Sequence, residues 1–124
     1  MSDLWPTELR VSKDRRSLTI TFNDGVGFAI PAETMRVLSP SAEVQGHGPG
    51  QKVTVPGKRL VGIASATPTG NYAVRIGFDD GHDTGIFTWA YLRELGEQGQ
   101  ELFAGYEREL AEKGLTRDPP GVRR

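Results

Sequence analysis

The stretch Ser17–Pro31, SLTITFNDGVGFAIP, decides the fold that we expect for this chain. Asn23-Asp24-Gly25 predicts a tight turn, because Asn and Gly tolerate the positive φ that hairpin turns require. Residues 26–30 then return as a second strand, and Pro31 suits the first turn of a short helix over Ala32–Leu38. Before the turn, polarity alternates with the two-residue period of a half-buried strand, and the inward set is Leu18, Ile20 and Phe22.

A second stretch, Tyr72–Leu95, follows the same plan. It has an alternating strand ending in Phe78, an acidic turn ending in Gly81, a short aromatic strand and then a helix. Further strands are predicted over Thr7–Lys13 and Leu60–Ala66, with a short one over Lys52–Val55. We therefore predict an α+β fold, in which two ββα-like units build a mainly antiparallel sheet and a C-terminal helix packs on it.

The residue pattern of the C-terminal part predicts a helix over Glu97–Lys113, which Gly114 ends. Gly99 weakens it by about 1 kcal/mol relative to Ala. We expect residues 1–115 to form a single domain and residues 116–124, TRDPPGVRR, to be a disordered tail with almost nothing to bury. The stripe that should dock the helix falls at helical spacing and consists of Leu102, Phe103, Tyr106 and Leu110.

The segment Ser39–Lys52 has glycines and prolines but no apolar period, which predicts a long mobile loop. It does not match a phosphate-binding loop, because the Gly-Lys-Ser/Thr ending is missing. No histidine and acidic residue lie at a spacing from Ser39 or Ser41 that suggests a catalytic triad, so we expect no hydrolase activity of this kind.

Composition excludes several classes of function. Fifteen Lys and Arg against 16 Asp and Glu give a net charge of -1, so no basic excess indicates nucleic acid. The absence of cysteine excludes disulfides, thiolate ligands and cysteine nucleophiles. The beginning of the chain, MSDLWPTEL, lacks the features of a signal peptide, and no apolar run approaches a membrane span. We expect a cytoplasmic domain that binds neither nucleic acid nor membrane.

The second turn, Asp79-Asp80-Gly81-His82-Asp83, carries the densest polar chemistry in the chain. The favoured interpretation is a polar hairpin tip, because acidic residues beside Gly are common in turns. The alternative is a metal site with His82, Asp80 and Asp83 as ligands, completed by His47 from the glycine-rich loop. Such a site requires several ligands on one face, and the spacing does not demand that they converge.

Together LRVSKDRRSLTITFNDG, IPAETMRVLSPSAEV and GNYAVRIGFDDGHDTGIFTWAYLREL resemble the bacterial DUF971 family. Its members are stand-alone relatives of the N-terminal domain of gamma-butyrobetaine hydroxylase, and the resemblance covers about residues 5–96. In the hydroxylases this domain precedes a separate iron/2-oxoglutarate catalytic domain. Similar domains also occur fused to ATPases that carry iron–sulfur clusters. The resemblance therefore implies an accessory domain without chemistry of its own, working beside iron-dependent or iron–sulfur proteins.

The resemblance also implies where a metal would bind. In zinc-binding members three cysteines follow the first helix, and a histidine lies in the second hairpin. The matching positions here are Ser39, Ser41 and Val44 for the cysteines and His82 for the histidine. Serine hydroxyls and a valine cannot replace thiolates at neutral pH, so the resemblance implies that the zinc site is lost.

We thus expect a non-enzymatic binding or adaptor domain with a protein partner and no bound cofactor. The alternative is a metal-binding protein that holds iron, zinc or another divalent ion through His82 and nearby carboxylates. Catalysis by this chain alone has the least support, since no nucleophile–base pair or complete ligand set is visible in the sequence.

Overall fold

The computed structural model describes residues 4–46 and 52–120. It has the α+β class that the sequence predicts, with six strands and three helices in the described residues. In chain order the elements are β1 (Pro6–Val11), β2 (Ser17–Phe22), β3 (Gly27–Pro31), α1 (Ala32–Val37), α2 (Ala42–Gln45), β4 (Ile63–Thr69), β5 (Ala73–Phe78), β6 (Gly85–Thr88) and α3 (Trp89–Glu112).

The strands form two three-stranded antiparallel sheets within the described ranges, ordered β1-β2-β3 and β4-β5-β6. Antiparallel pairing and α+β class are confirmed. Each repeat of the chain, however, holds three strands before its helix, so the predicted ββα unit was one strand too short. The first strand of each sheet was predicted, but the comparison of the two turns did not reveal that it belongs to the repeat.

Both sheets contribute to one hydrophobic core, because each central strand turns its alternating apolar residues inward. The backbone also joins the two sheets where Arg15, with φ 64°, accepts a hydrogen bond from the Ile63 N–H at 2.7 Å. The inward residues of the central strands are 0–3% exposed, and they are Leu18, Ile20, Phe22, Val74, Ile76 and Phe78.

The chain's longest helix is α3, with 24 residues. We predicted two helices here, one ending the second unit and one over Glu97–Lys113. They are continuous, since glycines inside a helix cost stability but do not break it when the helix packs on a core. Thr88 caps the start by accepting a hydrogen bond from the Tyr91 N–H at 3.0 Å. Of the predicted stripe Tyr106 and Leu110 are buried, whereas Leu102 and Phe103 are only partly buried.

The segment that begins at Ser39 is more ordered than the sequence indicated. Residues 42–45 form α2, and Val44 provides the apolar anchor that the composition hid, because its side chain is 1% exposed. The Val53 N–H donates to the Val44 carbonyl at 2.7 Å, and no strand forms over Lys52–Val55. Residues 47–51, on which part of the mobility prediction rests, lie outside the described residues.

Residues 116–120 lie against the domain, although we predicted disorder from residue 116 onward. Arg117 makes two hydrogen bonds of 2.7 Å to the carboxylate of Glu33, and its guanidinium lies 5.0 Å from the centre of the Phe103 ring. Arg59 pairs with Asp118 at 2.6 Å. Charge pairing thus holds a segment that has few apolar residues. Residues 121–124 of the predicted tail are not among the described residues.

Two helical glycines should respond oppositely to alanine. A Cβ on Gly96 would lie 2.5 Å from the Phe28 ring, whereas a Cβ on Gly99 would meet nothing within 4 Å. We predict that Gly99→Ala raises the free energy of unfolding by about 1 kcal/mol through helix propensity. Gly96→Ala should lower it by about 1–3 kcal/mol, because the clash outweighs that gain. Urea unfolding of both variants measures this, and equal effects would contradict the packing of α3 on β3.

Candidate functional site

The turn between β5 and β6 separates the side chains that the sequence placed together. Gly81 has φ 93°, a left-handed conformation that favours glycine. The Phe78 N–H donates to the His82 carbonyl at 2.8 Å and so closes the turn. As a result His82 is directed inward, with 7% of the residue exposed, while Asp83 is exposed.

The ring of His82 is hydrogen-bonded at both nitrogens by residues from the segment after α1. Nε2 lies 3.0 Å from Ser39 Oγ, and Nδ1 lies 2.7 Å from Glu43 Oε1. A neutral ring that donates from Nδ1 to the carboxylate and accepts at Nε2 from the hydroxyl satisfies both contacts. Ser39 Oγ in turn accepts the Ser41 N–H at 3.3 Å. No nitrogen of the ring is left for another ligand.

A second set of hydrogen bonds involves Glu43 and connects it to Ser41 and Thr84. Ser41 caps α2 by accepting the Glu43 N–H at 3.2 Å, and its hydroxyl lies 2.7 Å from Thr84 Oγ1. Thr84 donates to Glu43 Oε1 at 3.2 Å. We call Ser39, Ser41, Glu43, His82 and Thr84 the polar cluster. It fastens α2 to the β5–β6 turn, and the contacts between these two segments join residues from 39 to 43 positions apart.

Asp80 belongs to a different charge network. Its Oδ2 lies 2.7 Å from Arg36 Nε and 2.6 Å from Lys58 Nζ. Burial by itself raises the pKa of Asp80, but the hydrogen bonds from Lys58, the His82 N–H and Arg36 outweigh it and lower the pKa from 3.8 to about 2. Asp80 therefore joins α1 to the segment before β4 and bonds to the backbone of His82, not to its ring.

The predicted metal ligands are thus not brought together. Asp80 is occupied by two cations, Asp83 is exposed whereas His82 is buried, and His47 lies outside the described residues. Within residues 4–46 and 52–120, no three side chains of the ligating types approach closely enough to hold a metal.

The zinc site of the resembling family does not fit the polar cluster either. Zinc would require one nitrogen of the His82 ring, and both are engaged in hydrogen bonds. Ser39 and Ser41 provide neutral hydroxyls in place of thiolates, and Val44 provides no donor. Ser39 and Ser41 instead join the segment after α1 to the β5–β6 turn through hydrogen bonds to His82 and Thr84.

Ser39, His82 and Glu43 have the connectivity of a nucleophile, a base and an orienting acid, which the sequence did not reveal. The serine is closed to a substrate, however. Ser39 is 0% exposed, and a Cβ on Gly85 would lie 2.5 Å from its Oγ, so an acyl group has no room there. This packing also explains why position 85 requires glycine.

Sequence reasoning missed two members of the polar cluster, Glu43 and Thr84. One signal was available, because Ser41-Ala42-Glu43 is a helix N-cap followed by an acidic residue in the first turn. That pattern predicts α2, but it does not predict that the carboxylate contacts His82.

An open groove of about 640 Å³ lies between β3 and α3. Phe28 to Pro31 form one side and residues 95–101 of α3 form the other. Its lining carries four carboxylates but one guanidinium, Arg117, which leaves the lining at a charge of -3; the carboxylates are Glu33, Glu97, Glu101 and Glu107. We call this feature the acidic groove.

Comparisons with known proteins agree on the family. The profile of the family described as gamma-butyrobetaine hydroxylase-like, N-terminal, matches residues 9–93. Two NMR solution structures, described only as those of a protein, both have a TM-score of 0.80. One is 44% identical and covers 94% of this chain and 92% of its own. The other is 39% identical and covers 98% and 93%.

A crystal structure of a protein of unknown function from Acidithiobacillus ferrooxidans, described as belonging to the DUF971 family, is 37% identical. Its TM-score is 0.61, and the alignment covers 73% of this chain and 91% of that one. No curated protein matches the chain. In the described residues, no helix is long and apolar enough to cross a membrane.

Asp80 and Asp83 form a matched pair for a test of pH dependence. Because the pKa of Asp80 is lowered by folding, its stabilisation is present above the unfolded value of 3.8 and is lost as the pH falls through about 2. We predict that Asp80→Asn lowers the free energy of unfolding by about 2 kcal/mol at pH 7, with the difference shrinking towards pH 2. Asp83→Asn, at an exposed position, should change it by less than about 0.5 kcal/mol. Urea unfolding at several pH values measures both, and equal costs at pH 7 would contradict the Asp80 network.

Metal addition tests the polar cluster. We predict that micromolar Zn²⁺ or Fe²⁺ leaves the melting temperature and the NMR resonances of His82 unchanged, because both ring nitrogens are engaged. The triple variant Ser39→Cys, Ser41→Cys and Val44→Cys should gain zinc binding, with a stabilisation of about 2.7 kcal/mol at a hundredfold excess over its dissociation constant. A metal-dependent shift of the unchanged chain that disappears in His82→Ala would establish the metal-binding alternative.

Proposed function

The chain belongs to the family of gamma-butyrobetaine hydroxylase-like N-terminal domains, and from this premise we propose that it is a small non-catalytic binding and adaptor domain. Its partner is a protein, iron-dependent or carrying an iron–sulfur cluster. In the hydroxylases of the family the equivalent domain lies beside an iron/2-oxoglutarate catalytic domain. We infer that this chain brings its surface, without chemistry of its own, to such a partner in the cytoplasm.

The observation that carries this proposal is the contrast between the polar cluster and the acidic groove. The cluster holds the chain's serine–histidine–glutamate connectivity, yet Ser39 is fully buried and the His82 ring is saturated with hydrogen bonds. The acidic groove is open, lies along a strand and is lined by both charged and apolar groups. A closed centre and an open groove favour recognition over catalysis.

The glycines of α3 allow the groove to be blocked without disturbing the fold. Gly99 lines the groove and has open space where a Cβ would stand, so Gly99→Trp adds an indole inside the groove. Gly105 lies on the same helix outside the groove lining, and a Cβ there meets only the Arg108 guanidinium at 3.6 Å. Gly105→Trp is therefore the matched control for the added side chain and for helix propensity.

The proposal is tested by affinity purification of the tagged chain from its native cells, followed by protein identification and metal analysis. We predict that the unchanged chain and Gly105→Trp recover the same iron-containing protein, whereas Gly99→Trp loses it at least tenfold. Iron in the eluate should follow the amount of partner and not the amount of chain. Recovery of the chain alone with stoichiometric iron or zinc would overturn the adaptor role in favour of the metal-binding alternative.

A further inference from the structure

The strand β3 lies at an edge of its sheet, and its hydrogen-bonding pattern can be assigned residue by residue. The Phe22 N–H donates to the Val26 carbonyl at 2.9 Å, and the Ala32 N–H donates to the Arg16 carbonyl at 2.7 Å. In antiparallel pairing such hydrogen-bonded pairs recur every second residue. With Ile20 opposite Phe28 and Leu18 opposite Ile30, the backbone groups of Phe28 and Ile30 point towards β2.

The intervening residues of β3 therefore present their backbone groups at the free edge. These are the N–H and C=O of Gly27 and Ala29 and the C=O of Pro31, all at exposed positions. No strand pairs with this edge within residues 4–46 and 52–120. The acidic groove lies along the same segment, since Phe28 to Pro31 line it.

The other sheet edges in the described ranges are less suited to pairing. The pairing of β1 shifts register between Pro6 and Glu8, and that of β4 shifts between Ile63 and Ser65. Pro68 also lies within β4, where it removes an N–H, and β6 has only four residues. Such features are how proteins protect exposed edges. In contrast, β3 pairs with β2 in an unbroken register over five residues.

The charge of the groove indicates the chemistry of its occupant. Arg93 pairs with Glu97 at 2.7 Å, and Arg117 pairs with Glu33 and, at 3.7 Å, with Glu107. Glu101 is exposed and has no ion pair with any described residue. The surplus of carboxylates favours a basic ligand, because an acidic ligand would be repelled by the negative charge of the groove.

We propose that the acidic groove binds an extended, basic segment of the partner protein, which adds to the first sheet as a fourth strand beside β3. The main chain of the segment bonds to Gly27 and Ala29, and its Lys or Arg side chains meet the carboxylates of the groove, among them Glu101, which pairs with no cation in the described ranges. This inference rests on the proposed adaptor function and names the kind of partner segment that it recognises.

Substitutions at Ala29 separate the main-chain contact from side-chain effects. Ala29→Pro removes the outward N–H, and proline is tolerated on an edge strand where that N–H does not serve the ladder. Ala29→Val keeps the N–H and suits a strand, so it is the matched control. Circular dichroism and melting temperature establish that both variants are folded before binding is measured.

Charge reversal tests the recognition of basic side chains. Glu101→Lys changes the charge of the groove by two, and Asp83→Lys makes the same change at an exposed position outside the groove lining. The probe is a labelled, end-blocked peptide of alternating Lys and Val, long enough to pair with β3, whose five residues span about 17 Å. The same peptide with Glu in place of Lys is its control.

Fluorescence anisotropy at low salt measures the affinity of each peptide for the unchanged chain and for each variant. We expect the Lys peptide, but not the Glu peptide, to bind the unchanged chain, Ala29→Val and Asp83→Lys with dissociation constants within about threefold of one another. Glu101→Lys and Ala29→Pro should each weaken binding by about tenfold or more, equivalent to about 1.4 kcal/mol. Added salt should weaken binding of the Lys peptide.

The outcomes distinguish this inference from the adaptor function itself. If Gly99→Trp loses the cellular partner while Ala29→Pro and Glu101→Lys retain both partner and peptide, the adaptor function stands and the strand-addition inference is wrong. If only Glu101→Lys weakens binding, the ligand is basic but does not pair with β3, and the inference is also overturned. Sedimentation that shows a dimer of the chain abolished by Ala29→Pro, without peptide binding, would identify a second copy as the occupant.

Discussion

The structure depends on one constraint, which is that a sheet with one apolar face must bury that face against another element. Each of the two sheets turns the inward row of its central strand into a common core, and α3 covers that core through Leu92, Leu95, Tyr106 and Leu110. The close contact between Gly96 and the Phe28 ring brings α3 against β3. The acidic groove exists because the helix packs on the face of β3 and leaves its hydrogen-bonding edge open.

Polar contacts fix the positions of the segments that connect the strands and helices. Burial of Val44 anchors the segment after α1, and the polar cluster fastens that segment to the β5–β6 turn at His82. In the same way Asp80 joins Arg36 to Lys58, and Arg117 joins the last described residues to Glu33. These contacts are directional, so they give the connecting segments one arrangement at little gain in apolar burial. A serine, a histidine and a glutamate arranged like a catalytic triad can therefore serve as a structural fastening.

Local pattern was sufficient for most of the elements. Alternation predicted β1, β2 and β5 within two residues at each end, and turn chemistry predicted the hairpin at Asn23-Asp24-Gly25. It failed where tertiary contacts outweigh composition. The sequence suggested two helices where packing keeps α3 continuous, and glycines near Ser39 concealed the anchor Val44. The residues after Leu115 have almost nothing to bury, which suggested disorder. The ion pairs that hold them have distant partners, and such pairs leave no periodic signal in the sequence.

The sequence by itself determined the α+β class, the apolar face of each strand, the family, and the poor match between Ser39, Ser41 and Val44 and a zinc site. Each of these follows from residue type and short-range spacing. Only the tertiary structure decided that the ring of His82 contacts Glu43, that Asp80 is held by two cations, and that the edge of β3 faces carboxylates of α3. The contacts of His82 and Asp80 join residues from 22 to 44 positions apart, and their geometry comes from the packing of the core, which no local pattern encodes.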